Sequence, residues 1–221
     1  MWWVATLLKI RYRIPSSDKR YAQAVRTPAM TKPHAVGLCG SLRDGSYTRL
    51  AIARALESAE RHGATTTMLD LREFDLPVFD ADARDAGDSE RLCAELRRAD
   101  SILLGTPVYH GSYATPLKNA LDYAGFDEFE DTTVGLLAVS GGGFPTSALD
   151  HLRTVCRALN AWVLPHQAAI PSASSQFDNG ELTDETLGER VDVLGRRAVE
   201  YANIEPDPAQ FESEQNVGAG D

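Results

Sequence analysis

Apolar positions along the chain follow two alternating rhythms. Short unbroken apolar runs, His34–Cys39 (HAVGLC), Ser101–Thr106 (SILLGT) and Thr133–Ser140 (TVGLLAVS), have the pattern of strands buried on both faces. Thr65–Leu71 is rich in β-branched residues and reads as a further strand, and Trp162–Leu164 with Ala168–Ile170 as the last. Between them lie segments with helical spacing, at 46–62, 88–99, 115–125, 145–160 and 183–201. In the first, Leu50, Ala53, Leu56 and Ala59 share a face, Ser46 suits the N-cap, and Gly63 suits the stop. In the third, Thr115 is the expected N-cap, with Pro116 at the first helical position. A Pro- and Asp-rich loop fills Phe74–Ala86.

Strand and helix alternate through five repeats of each, which predicts an α/β three-layer sandwich around a parallel sheet. Such sheets bind ligands beyond the carboxyl ends of their strands, where the strand order reverses. That rule directs attention to the loops after the first, third and fourth strands.

Charge sharpens the outline. The 221 residues carry a net charge of −10. Residues 1–29 hold six bases against Asp18, whereas residues 30–221 hold 16 bases against 31 acids. So acidic a body repels phosphate backbones and disfavours nucleic-acid binding. Lys32 and Lys118 are its only lysines; an acidic surface with Arg favoured over Lys fits either a high-salt cytoplasm or an ordinary acidic protein. No apolar run approaches the ~18 residues of a membrane span. Residues 1–29 place their positive charge after a short apolar run, unlike a secretory leader. They read either as an upstream extension preceding a native start at Met30 or as a basic surface arm. Residues 203–221 read as an acidic tail, leaving 30–202 as the domain. Cys39, Cys93 and Cys156 are far apart and form no CxxC, as expected of reduced thiols in a cytoplasmic protein, and the five histidines form no metal-binding pattern.

The three loops carry the unusual residues. Gly40–Thr48 (GSLRDGSYT) offers hydroxyls at Ser41, Ser46 and Thr48 and a guanidinium at Arg43, at the N-terminus of a helix, where free N–H groups and the dipole attract anions. It is neither GxxxxGK[ST] nor GxGxxG, so a phosphate-binding loop of another kind or a plain helix cap remains. Thr106–Tyr113 (TPVYHGSY) sets Tyr109 and His110 after the third strand, either to hold a flat heterocycle or as a turn with a packed ring. Ser140–Pro145 (SGGGFP) has three glycines, which let backbone lie against a ligand or make a flexible loop.

In order, GSLRDGSYTR, LDLREFDLPVFDAD, TPVYHGSYATPLKNALDYAG and SGGGFPTSALDHLRTVCRALNAWVLP resemble the NAD(P)H-dependent FMN reductases of the flavodoxin-like superfamily, over about residues 34–170. The TPVYHGS form is most similar to the branch that supplies reduced FMN to sulfonate-using monooxygenases. The resemblance implies a flavodoxin-like three-layer sandwich with five parallel strands in the order 2-1-3-4-5. It implies that Ser41, Arg43, Ser46, Tyr47 and Thr48 hold the FMN phosphate end. Pro107, Val108, Tyr109, His110, Gly111 and Ser112 would line the isoalloxazine and ribityl chain, with Ser140, Gly141, Gly142 and Gly143 on the other edge. It further implies NADPH or NADH as co-substrate, a small-molecule electron acceptor such as free FMN or a quinone, and a homodimer or homotetramer with the flavin near an interface, where Phe79 or Tyr113 either covers a partner's flavin or is simply packed locally. No residue is singled out as catalytic. The competing reading is a flavodoxin-like FMN electron carrier serving a partner protein.

Overall fold

A computed structural model of the protein describes residues 32–202. The expectations for residues 1–29 and 203–221 lie outside the described residues.

The strands are β1 (His34–Cys39), β2 (Thr65–Asp70), β3 (Ser101–Tyr109), β4 (Ser112–Tyr113), β5 (Thr133–Val139) and β6 (Trp162–Ile170), with a short hairpin of β7 (Phe177–Asp178) and β8 (Glu181–Leu182). The helices are α1 (Tyr47–Arg61), α2 (Ser89–Arg97), α3 (Thr115–Tyr123), α4 (Phe126–Phe129), α5 (Thr146–Ala158) and α6 (Glu185–Glu200). Five parallel strands stand in the order β2-β1-β3-β5-β6, and β4 adds an antiparallel step on the end of β3. Apart from β4, this is the 2-1-3-4-5 order of the flavodoxin-like fold.

Each sheet face has its own core. Leu92 and Leu96 of α2, Leu117 and Leu121 of α3, and Leu149 and Leu152 of α5 pack with Val36, Ile102, Leu104 and Leu136 on one face. Ile52 and Leu56 of α1 and Val191 and Leu194 of α6 pack with Ala35, Leu103 and Leu137 on the other. Residues alternate between faces along each strand, so a strand apolar on both faces reads as an unbroken run.

Three local expectations need correction. β3 does not stop at Pro107 but runs to Tyr109, pairing with β5 as far as Pro107↔Val139 and then turning back into β4. The last strand is one piece: its break at Pro165–His166 is taken up by a register shift opposite Val134/Leu136. Arg153 of α5 holds the bulge by donating to the Leu164 carbonyl (2.9 Å) and to Gln167 Oε1 (2.9 Å). The N-cap of α3 is Ala114, not Thr115; the buried Thr106 hydroxyl accepts from the Ala114 N–H at 2.9 Å. As expected, Ser46 caps α1 and Gly63, at φ +98°, follows its end.

The three cysteines are buried and form no disulfide. Burial pushes the Cys93 thiol up to about 11 and the Cys156 thiol up to about 12, so both stay protonated at neutral pH.

Candidate functional site

Over the carboxyl ends of β1, β3 and β5 the chain closes around a cavity of about 150 Å³. Its wall takes Ser41, Arg43, Gly45, Ser46, Tyr47 and Thr48 from the first loop and α1, and Pro107, Val108 and Tyr109 from β3. Val139, Ser140 and Gly141 come from the end of β5, and Ala173 and Ser174 from the segment after β6. The three loops singled out from the sequence therefore share one cavity.

The first loop is set close to the sheet by two glycines. The Gly40 N–H donates to the Gly105 carbonyl at 2.8 Å. A Cβ on Gly40 would stand 2.6 Å from Leu117 Cβ, and one on Gly105 2.4 Å from Ile52 Cγ1, so no larger residue lets these strand ends sit this tightly under α1 and α3. Ser46 Oγ then accepts from the Arg49 N–H at 3.2 Å and caps α1, whose first residues, Tyr47 and Thr48, line the cavity. The Ser41, Ser46 and Thr48 side chains are buried within the wall, and Arg43 stands on the exposed rim. Arg43 is the single charged residue among those lining the cavity, and no carboxylate lines it.

A charge network braces this loop from behind. Arg49 donates to the Arg43 carbonyl (3.4 Å), to the Asp44 carbonyl, and to Asp70 Oδ2 (3.2 Å). Arg72 grips Asp70 through Nε and Nη2 (2.6 Å for the latter) and reaches Asp44 Oδ1 at 3.1 Å. Burial pushes the Asp70 carboxyl up, but the Arg72 and Arg49 hydrogen bonds outweigh it and hold the group below its ordinary value.

The second segment is a hairpin rather than a loop. Val108 pairs with Tyr113 and Tyr109 with Ser112, leaving His110 (φ +50°) and Gly111 (φ +77°) as a two-residue turn. Positive φ at both positions is the geometry that matches strand twist. Thr106 ties the base, accepting from Ala114 and donating to the Pro107 carbonyl at 2.8 Å, and Ser112 Oγ lies 2.9 Å from His151 Nδ1 of α5. Tyr109, half exposed, stands at the mouth. His110, Gly111 and Ser112 stand outside the cavity wall.

The third segment is pinned. Ser140 Oγ donates to the Gly142 carbonyl (2.6 Å), and the N–H groups of Ser172 and Ala173 donate to the carbonyls of Gly142 and Ser140 (2.9 Å each). Gly141, Gly142 and Gly143 have no positive φ, and a Cβ on any of them would meet nothing within 4 Å. Neither backbone conformation nor packing within the protein requires glycine here. Gly141 faces the cavity; Gly142 and Gly143 do not line it.

Sequence reasoning missed Gly45, Val139, Ala173 and Ser174 as wall residues. The Ser172–Ser175 stretch directly follows a strand's carboxyl end, so the same fold rule, applied to the fifth strand, finds it. Phe79 and Tyr113 pack locally: Phe79 lies edge-on to Tyr123 (5.2 Å between centroids) and Tyr113 edge-on to His151 (6.4 Å). A larger open cleft of about 830 Å³, lined by Cys93, Arg97, Phe126, Glu128 and neighbours, lies among α2, α4 and the end of α5 and includes no strand end.

Comparison with known proteins gives the family. The family model described as NADPH-dependent FMN reductase matches residues 33–175. A protein of Staphylococcus aureus (strain USA300) named FMN-dependent NADPH-azoreductase is 33% identical over 181 residues, covering 76% of this chain and 95% of that one. Its counterpart in Staphylococcus haemolyticus (strain JCSC1435), of the same name, is 30% identical over 178 residues, with the same coverage. Among solved structures, the flavoenzyme NAD(P)H:(acceptor) oxidoreductase FerB of Paracoccus denitrificans superposes with a TM-score of 0.65 at 21% identity, covering 77% of this chain and 97% of that one, a likeness of fold. With the family match spanning most of the domain and relatives of this identity covered almost end to end, the chain belongs to the NADPH-dependent FMN reductase family, flavin oxidoreductases on a flavodoxin-like fold that use FMN and a reduced nicotinamide.

Proposed function

We propose that the cavity over β1, β3 and β5 is the FMN site. The observation that carries the reading is that three loops far apart in sequence share one wall whose groups are sorted by chemistry. The first loop and the start of α1 contribute the hydroxyls of Ser41, Ser46 and Thr48 and the guanidinium of Arg43, whereas β3 and the end of β5 contribute Pro107, Val108, Tyr109 and Gly141. The residues present fit the group. A phosphate needs donors and no carboxylate, and the wall supplies both conditions. A flat ring needs backbone it can approach closely, and Gly141 keeps open a space that a side chain would fill.

In this reading Ser41, Ser46, Thr48 and the first amides of α1 hold the phosphate, and Arg43 closes over it. Pro107, Val108 and Tyr109 carry the ring along the hairpin, with Ser140 and Gly141 on its opposite edge. A flavin with its ribityl chain exceeds the enclosed volume, so His110–Ser112 and Gly142–Gly143 are assigned to the rim where the ring projects. When bound, FMN supplies the redox chemistry, taking a hydride from the nicotinamide and passing electrons to the acceptor. The chain binds, orients and partly dries the ring.

The proposed acceptor is a small, flat molecule; the staphylococcal relatives are named for azo compounds, and free FMN and quinones have the same planar shape. The chain is proposed to self-associate as a homodimer or homotetramer, as the family resemblance implies, and Val78 and Phe144, each 86% exposed, are apolar groups that such an interface would cover. Buried protonated thiols support a reducing, cytoplasmic setting, and the −10 charge supports activity at high salt. The deciding experiment mixes FMN-loaded protein with NADPH or NADH without oxygen. Loss of the flavin's visible absorbance at turnover rates supports the reductase. Loss only when a separate reductase is added refutes it in favour of the electron carrier.

A further inference from the structure

Just beyond the family match, which ends at residue 175, the chain makes the β7–β8 hairpin. Asn179 (φ +49°) and Gly180 (φ +88°) form its two-residue turn, and Phe177 pairs with Leu182, Asp178 with Glu181. Directly paired residues share a face, so Phe177 and Leu182 lie together and Asp178 and Glu181 point the other way. The apolar pair packs on α1: the Phe177 ring stacks on Tyr47 with centroids 4.8 Å apart and planes 25° from parallel. Tyr47 is the first residue of α1 and lines the cavity; Phe177 does not reach it.

The hairpin is anchored on its far side. Thr183 donates to the Gln176 carbonyl through its N–H (2.8 Å) and its hydroxyl (3.0 Å). Asp184 then caps α6, accepting from the Leu187 N–H at 2.9 Å. Arg54 of α1 donates to the Leu182 carbonyl (3.4 Å) and forks onto Asp192 of α6 (3.1 and 2.8 Å). Tyr47 is therefore pressed from behind by a ring that is itself fixed to α1 and α6.

We propose that the β7–β8 hairpin is a clamp on the anion end of the site, and that Phe177, acting through Tyr47, is a positioning residue that holds the first turn of α1 ready for a flavin phosphate. The proposal rests on the reading of the cavity as the FMN site. Preorganised amides bind an anion without first being ordered, so losing the clamp weakens ligands that carry the phosphate and spares those that lack it. Riboflavin shares the ring and ribityl chain of FMN but has no phosphate, which makes the pair a direct probe.

The test titrates FMN and riboflavin against the apo full-length chain and its Phe177→Ala, Phe177→Leu, Phe177→Tyr and Arg43→Ala variants, following flavin fluorescence. Losing the stack is expected to raise the FMN dissociation constant about fivefold, the scale of one aromatic pair, and the riboflavin constant less than twofold. Phe177→Leu keeps apolar burial without the ring and is expected to behave like Phe177→Ala; it decides the matter if the alanine variant does not fold. Phe177→Tyr is expected to restore wild-type binding. Equal weakening of both flavins, or no weakening, overturns the clamp. Arg43→Ala separates the two readings. If it selectively weakens FMN while the Phe177 variants do not, the clamp alone is wrong; if it does not, the phosphate site is misassigned and the clamp falls with it.

Discussion

Replacing Asp70 by Asn tests whether the charge network behind the first loop holds the site in place. The Asp70 side chain is 6% exposed and takes both Arg72 and Arg49, together with the Arg72 backbone N–H at 3.1 Å. Breaking a fully buried ion pair from one side costs about 3–5 kcal/mol. Here Arg49 and Arg72 remain 23% and 30% exposed, so water takes back part of their charge, and the expected loss is about 2–3 kcal/mol. For a domain of this size that lowers Tm by roughly 4–12 °C. The pH dependence is the sharper signature. The folded Asp70 pKa is lowered, so its contribution is fully present above the ordinary carboxylate value of about 3.9 and is lost as pH falls through the folded value. Denaturant melts of wild type and Asp70→Asn across the acid range are expected to show a constant gap at neutral pH that closes under strong acid. Because Arg49 also holds the Arg43 and Asp44 carbonyls, FMN affinity is expected to fall about threefold or more in the variant, on the scale of one hydrogen bond. A stability gap that persists unchanged below the folded pKa, or no gap at neutral pH, refutes this account of the network.

Other positions carry separate expectations. Gly141→Ala is expected to leave the apo protein as stable as wild type or slightly more so, since its Cβ meets nothing, while lowering FMN affinity at least tenfold; thermal melts and flavin titration read the two effects. Thr106→Val removes the acceptor for the buried Ala114 N–H and is expected to cost about 1–3 kcal/mol in urea melts. Cys156, fully buried with its thiol pushed up to about 12, is expected to react with an exposed-thiol reagent only at the rate of unfolding, measured against the denatured chain.

The alternation of strand and helix and the three site loops were legible because both follow from long-range rules that local sequence displays, whereas the strand order came only with the family resemblance. Ile102–Gly105 within β3 is an unbroken apolar run, and the loops after the first, third and fourth strands carry hydroxyls, Arg43, Tyr109 and a glycine triplet that a plain connection does not need. What was not legible depends on partners distant in sequence. Thr106 replaces Thr115 as the support at the start of α3, and no local pattern shows a hydroxyl arriving from a neighbouring strand. The extension of β3 past Pro107 into the Tyr109–Ser112 hairpin was hidden because proline reads as a strand end, and His110-Gly111 lacks the Asn-Gly or Asp-Gly signature of a two-residue hairpin turn. Ala173 and Ser174 gave no chemical signal, since small residues in a wall matter for what they leave open.

A crystal structure of the protein saturated with FMN would show where the flavin sits. One flavin per chain is expected, its phosphate within hydrogen-bond distance of Ser46 and Arg43 and its ring between Tyr109 and Gly141. A flavin seated in the larger cleft beside Arg97 and Glu128, or a phosphate away from the start of α1, contradicts the reading of the cavity as the FMN site.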